Sequence, residues 1–410
     1  MERARGVSAL RTPQELLTAA AVRARCEQLY ALAEDGALEH FALDPAGLEA
    51  VAARVVAVTR AAYPTLEIPY HSRWQHFDVG GVARLDELDA SFDAMGFDDA
   101  ERARAQIDLV VLSVLLDAGA GPRWSYRERG KAYARSEGLA VASLRLFLAG
   151  RAGSAPLRVD AAGLEALGGF GLAEAFQVGP DNPLVGLDGR WALLARLAER
   201  LREAPELFGA DARPGGLYDV AVARAAGAPL QAADLLELVL EGLGPIWPGR
   251  HTLEGVNLGD AWPHPALEGS HPADRLVPFH KLSQWLTYSL LEPLEWAGLE
   301  VVELDRLTGL PEYRNGGLLI DLGALRPKHP GVLGEAHAPG DPVIVEWRAL
   351  TVALLDRVAP RVRSALGLSA AEFPLAKVLQ GGTWAAGREV AAELRDGQPP
   401  LQLLSDGTVF

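Results

Sequence analysis

The sequence predicts a mostly α protein, a compact two-lobed helical fold with a few short peripheral strands. Three observations lead there. Apolar residues recur at three- and four-residue spacing through segment after segment. Capping residues stand where several of those segments begin. No alternation of strand and helix runs along the chain, which disfavours a Rossmann fold or a TIM barrel. At 410 residues the chain can bury a large core. We read it as one domain over 1–410, with lobes at about 1–205 and 206–410.

The elements follow in order. Residues 13–34 read as an amphipathic helix, with Thr12 as N-cap, Pro13 in first position and Glu15 three residues after the cap. Asp44 and Pro45 open a second helix over 44–62, which Tyr63-Pro64 closes. A polar-aromatic loop, Ile68 to Phe77, comes next. Asp98 caps a third helix through Leu116, and Asp117 to Tyr126 is a glycine-rich turn. Further helices are expected from Ser136 to about Leu148, over 160–177 and over 186–203. The stretch 205–228 reads as loop, 230–243 as helix, and 244–277 as a long irregular segment of the kind that is usually functional. Val301 to Leu304 and Gly316 to Gly323 read as strands. A long helix over 341–365, kinked or broken at Pro360, is followed by one from about Ser369 to Val378. The last helix spans 384–396, and Ser405-Asp-Gly is a turn between two closing strands.

The segment Asp274 to Trp296 organises the rest. A helix is expected from Pro278, since Pro suits a first turn, and Pro293 ends or kinks it. Phe279, Leu282, Trp285, Leu286, Leu290 and Leu294 cover most of its circumference, so it should be central and buried. It nevertheless carries a connected polar stripe through His280, Ser283, Gln284 and Thr287, with Lys281 and Tyr288 beside it. Buried polar groups need partners. The stripe therefore reads either as the lining of a site or as a solvated face.

Composition narrows the function. The formal net charge is −15, which argues against general nucleic-acid binding. No apolar run reaches the ~18–20 residues of a membrane span, and the first residues lack a secretory signal. The single cysteine, Cys26, makes no internal disulfide, and its setting is not a nucleophile motif. A reducing cytoplasm is the expected location. There is no P-loop, no Gly-x-Gly-x-x-Gly after a strand, no His-Glu-x-x-His and no Gly-x-Ser-x-Gly. His251, His264, His271 and His280 fall close together but without ligand spacing, so no metal and no cofactor is expected.

Three polar clusters stand out. His71, Arg73, Trp74 and His76 could hold a phosphate, because Arg offers a bidentate fork; the same stretch also reads as a surface loop with Trp74 turned inward. Asp274 and Arg275 precede the central helix, where Asp274 is either a reactive carboxylate or a cap. Tyr313-Arg-Asn-Gly-Gly could close over a ligand through Arg314, or be a simple turn.

Several long blocks carry a resemblance. These are Tyr70 to Phe77, Leu115 to Pro122, Pro278 to Leu290, Leu307 to Leu318 and the terminal Ser-Asp-Gly-Thr-Val-Phe. Together they resemble the uracil-catabolism family of fungi and bacteria over about residues 10–410. That family implies a role in a non-reductive uracil pathway, in which a ring-opening enzyme resembling GTP cyclohydrolase acts first and urea is finally released. Asp274-Arg-Leu-Val-Pro also resembles the Asp-x-x-x-Pro block of the queuosine-salvage nucleotide N-glycosidases. Those are α-helical proteins similar to DNA glycosylases, and their Asp is catalytic. The resemblance implies a DNA-glycosylase-like core and cleavage of (phospho)ribosylurea, or a related ring-opened uracil nucleotide, to urea and ribose or its phosphate.

The expected roles follow from that chemistry. Asp274 stabilises an oxocarbenium-like state or serves as base or nucleophile, and His280 supplies a proton to the leaving urea. Arg73, Lys281 and Arg314 face a phosphate, while His71, Trp74, Gln284 and Tyr288 line the ligand. The alternative is a non-catalytic binding or channelling partner of the ring-opening enzyme. Association with other enzymes of the pathway is compatible with either. A phosphoribosyltransferase reading lacks the acidic pair and phosphate loop it requires.

Overall fold

A computed structural model describes residues 12–248 and 251–404. It is mostly α, and its strands form two-stranded pairs only, among the described residues. The chain divides into two compact units, each assembled from separated stretches rather than from one half of the chain. Of the described residues, the first holds 12–71, 251–284 and 303–404; the second holds 72–248 and 285–302. The boundary falls inside the central helix, after Gln284.

The first unit is built on the helix Pro342–Leu366, whose residues Val343 to Leu355 are buried on every side. The helices Ala19–Glu34 and Pro45–Ala62 pack against it. Asp44 caps the latter through the Ala46 N–H, as its sequence predicts. The first predicted helix is interrupted. Pro13–Leu16 is a 3₁₀ turn without a side-chain cap, and Thr18 caps the α-helix that follows. Pro360 does not break the long helix. The helix Tyr313–Asp321 replaces the strand expected from Gly316, and it packs on Trp384–Arg395. Its glycines permit close approach: a Cβ at Gly316 would collide with Trp347. Near the C-terminus, Leu375–Val378 passes through a π-turn, Leu379–Thr383, into the last helix. Gln402–Leu403 pairs in parallel with Ala336–His337, whereas the expected Ser405-Asp-Gly turn lies outside the described residues.

The second unit centres on Asp99–Leu115, buried from Ala105 to Leu115 and capped by Asp98. Around it stand Arg135–Leu148, Leu187–Glu203 and Gly216–Ala225. The glycine-rich turn leads into a hairpin, Ser125–Glu128 with Lys131–Ala134. Arg129 and Gly130 both have positive φ, as a two-residue hairpin turn requires. The helix Arg84–Met95 was not expected, and neither were Pro205–Phe208 and Gly216–Ala225 in the stretch read as loop. That stretch is fixed by Asp108, fully buried, which takes two N–H groups of Arg213 and the backbone N–H of Gly215. Burial pushes the Asp108 carboxyl up to about 6, against the pull of Arg213.

The central helix starts later than its sequence suggests. Leu276–Pro278 is a strand, antiparallel to Ala261–Pro263, and the helix is Lys281–Trp296. Pro278 therefore ends a strand instead of opening a turn. Pro293 stays within the helix. A proline has no N–H, so the Ser289 carbonyl loses its usual intrahelical donor. The Trp74 indole N–H donates to that carbonyl at 2.9 Å.

Candidate functional site

In the first unit the entry to the central helix is held by Asp260. Its carboxylate takes both terminal nitrogens of Arg348 at 2.7 Å, the Trp262 indole N–H at 2.8 Å and the Lys281 backbone N–H at 3.1 Å. Its carbonyl accepts the N–H groups of Phe279 and His280. The Arg348 guanidinium lies 4.0 Å over the Phe279 ring. Burial alone would raise the Asp260 carboxyl. Arg348 and the other donors outweigh it and hold the group well below the usual carboxylate range. This carboxylate is a fixed anion at a helix start.

The clamp fixes His280. The residue has φ +47, an uncommon conformation outside glycine. Its carbonyl takes the Gln284 N–H at 2.8 Å, so the strained residue starts the helix. Its Nε2 donates to the Leu16 carbonyl at 2.9 Å in the neutral ring. Burial lowers its pKa, and Arg348 opposes protonation further. The Nε2 proton is thereby committed, which leaves Nδ1 as the basic nitrogen. This arrangement suits accepting a proton better than donating one.

Asp274 is nearly buried and sits in the 3₁₀ turn Pro272–Arg275. One oxygen accepts the His271 N–H at 3.1 Å, closing a capping box. The other faces Arg25 at 3.4 Å. A Cβ at Gly269 would run into the carboxylate, so only glycine lets the backbone approach so closely. The carboxylate is thus rigidly placed.

The other expected residues divide between the units. In the first, the Gln284 amide is bound on both sides, donating to the Phe279 carbonyl and accepting from the Thr308 N–H. Lys281 lies close enough to Glu312 to oppose the upward push that burial gives its carboxyl. Glu312 in turn caps Tyr313–Asp321 by accepting the N–H groups of Arg314 and Asn315. Arg314 is buried, donates to the Gly397 carbonyl at 3.1 Å and lies 4.9 Å over the Tyr313 ring. His71 meets Gln380 of the π-turn at 3.0 Å. Lys281, Glu312 and Arg314 therefore form one group, and His280, Asp260 and Arg348 another. Asp274 stands with Arg25.

Arg73, Trp74 and Tyr288 belong to the second unit. Arg73 is fully buried. It donates to Ser113 at 2.7 Å and Ser136 at 3.0 Å, pairs with Asp117 at 3.2 Å and lies 5.6 Å from the Trp285 ring centre. This makes it an interior cation on a polar network, not the surface-loop residue of one reading. Tyr288 is fully buried in the central helix. One turn further along, Glu292 accepts from Ser72 and Gln75 with one oxygen, and burial pushes its carboxyl up to about 8.

Sequence reasoning missed Asp260, Arg348, Arg25 and Glu292. Asp260 does lie in the irregular stretch singled out as functional, but nothing in one sequence pairs it with Arg348, 88 residues away. Among the described residues, no three His, Cys, Asp or Glu side chains gather as a metal site. No described helix is long and apolar enough to cross a membrane. Cys26 is buried, and burial pushes its thiol well up, away from nucleophilic use.

The chain is helical, with the Asp260–Arg348 clamp at the entry to its central helix. It belongs to the family described as "Protein of unknown function (DUF1688)", which matches residues 15–410. Protein urg3 of Schizosaccharomyces pombe is 41% identical over 411 residues, covering 97% of this chain and 99% of that protein. Uracil catabolism protein 4 of Lachancea kluyveri is 38% identical over 427 residues, covering 95% of this chain and 97% of its own.

Proposed function

We propose that this protein acts in uracil catabolism as an N-ribosidic hydrolase, cleaving a ring-opened uracil nucleoside or nucleotide of the ribosylurea type to urea and the sugar. The observation that carries the reading is Asp274, a carboxylate almost withdrawn from water and fixed by His271, Arg25 and the Gly269 backbone. The name of one relative, Uracil catabolism protein 4, supports the pathway.

The chemistry asks for such a group. The C1′–N bond breaks with its electron pair leaving on the urea nitrogen, and positive charge develops at C1′. A preorganised carboxylate in a site of low polarity stabilises that charge. Water adds to C1′ and gives up a proton, and the urea nitrogen gains one. His280, neutral and basic at Nδ1, suits the first of these transfers. Lys281 and Arg314 supply cations for a phosphate on the same unit.

Urea release from the ring-opened nucleotide tests the reading. Wild type should release urea, and Asp274→Asn should lose about 10²–10⁴-fold in kcat. Circular dichroism checks that the capping-box turn has not unfolded the variant. No urea from wild type, or an Asp274→Asn rate equal to wild type, overturns the proposal. The engagement of both Asp274 oxygens favours a second reading, a binding or channelling partner of the ring-opening enzyme. Turnover by the purified chain alone excludes it.

A further inference from the structure

The second unit contains a cleft of about 410 Å³ that the hydrolase reading does not use. Trp74 and Trp296 stand on one side, their rings edge to face at 5.1 Å. Leu88 lines it as well, with Asp89 and Asp99 among its acidic residues. Trp296 is 54% exposed, a large apolar surface left to solvent on a helix that is otherwise mostly buried.

The charges are unequal. Arg102, the cation of the cleft, is turned to Asp93 and to the Phe97 carbonyl. Neither Asp89 nor Asp99 has an ion pair with a described residue. Burial, and then the like charges of Asp86 and Asp93, push the Asp89 carboxyl upward, with Arg102 opposing them. Negative charge is therefore in excess in this cleft, two carboxylates against one guanidinium that is already paired with Asp93. Gln106, 7% exposed, also lines the cleft; its amide makes no hydrogen bond with another described residue and is open to water or a ligand there. A buried amide without a protein partner is costly unless water or a ligand meets it.

We infer that this cleft binds a small organic cation, a guanidinium or ammonium on a short apolar body. The cation would lie between the Trp74–Trp296 pair and the carboxylates of Asp89 and Asp99, with Gln106 reading its hydrogen bonds. Indole faces attract cations through their quadrupole, and carboxylates add direct charge. An anion would meet net repulsion. A purely apolar ligand would leave the carboxylates and the amide desolvated.

Agmatine is the probe, with urea and uracil as uncharged comparisons. Saturation-transfer NMR and calorimetric titration are run on the full chain. Saturable agmatine binding is expected, weakened about tenfold by Trp296→Ala and by Asp89→Asn. Both residues are exposed, but Trp296 also rests on the buried Trp74, so thermal melts check that each variant keeps its fold. No saturable binding overturns the inference, as does binding that both variants leave unchanged. Uracil binding in place of agmatine overturns it too. A short arginine peptide binding far more tightly than agmatine would assign the cleft to a protein partner and likewise overturn it. Urea release is a separate readout, so the fate of the hydrolase reading does not decide this one.

Discussion

At the scale of single residues, Asp260 and Glu292 show how burial alone leaves a carboxylate's behaviour open. Both are largely withdrawn from water. Asp260 has Arg348 bidentate against it and stays ionised, whereas Glu292 has only Ser72 and Gln75 and is pushed up to about 8. Asp260→Asn would leave the Arg348 cation buried without its anion. We expect a loss of about 3–5 kcal/mol, read from denaturant midpoints at neutral pH. Because the folded pKa of Asp260 is depressed, that stabilisation holds above the unfolded pKa of about 4 and is lost as pH falls towards the folded value. The variant and wild type should therefore converge in acid.

Glu292 carries the opposite sign. Its folded pKa is raised, so the folded state holds a proton that the unfolded state has released between about pH 4 and pH 8. Stability from this group falls as pH rises through that window. Glu292→Gln keeps an acceptor for Ser72 and Gln75 without the charge. It should be more stable than wild type at pH 8, by on the order of a few kcal/mol, and equal to it near pH 4. Thermal melts across that range check it; a constant difference at all pH values would place the effect elsewhere.

At the scale of elements, the central helix continues through Pro293 because another residue satisfies what the proline cannot. Trp74 supplies the N–H that the Ser289 carbonyl lacks. Trp74→Phe keeps an aromatic ring and removes that donor, and should cost about 1–3 kcal/mol. In a Pro293→Ala background the helix regains its own donor, so the same substitution should cost less. A double-mutant cycle measures the difference; two equal costs would refute the role assigned to the indole. The 3₁₀ turn at Asp274 and the αL residue His280 are the irregular elements between strand and helix, and both hold residues proposed for chemistry.

For the whole molecule, the governing quantity is the formal net charge of −15. A surface so biased repels polyanions at long range, and the repulsion is strongest at low salt. Duplex DNA titrated against the protein at low ionic strength should give no anisotropy change. Binding that appears at low salt and weakens steeply with added salt would contradict this. The interior, in contrast, holds ion pairs, among them the buried Arg213 with Asp108 and the buried Arg348 with the half-buried Asp260. Such pairs are strongly destabilising to break.

The sequence by itself determined much of this protein. The mostly α class, the Asp44 and Asp98 caps, the long buried helix after residue 341 and the burial of the central helix were legible, because apolar spacing and capping act over a few residues. The family blocks were legible as well. Other features depended on the tertiary structure. Gly216–Ala225 packs on Asp99–Leu115, and Tyr313–Asp321, where a strand was expected, on Trp384–Arg395, while Arg84 at the start of Arg84–Met95 pairs with Glu128; all these partners lie far along the chain. The late start of the central helix depends on Ala261–Pro263, which draws Pro278 into a strand, and on Asp260, which fixes His280. The partners of Gln284 and His280 lie at Thr308 and Leu16, and those of Arg73 at Ser113 and Asp117. No local rule reaches across such separations. A buried charge takes its meaning from whatever the fold brings beside it, and only the folded chain settles that.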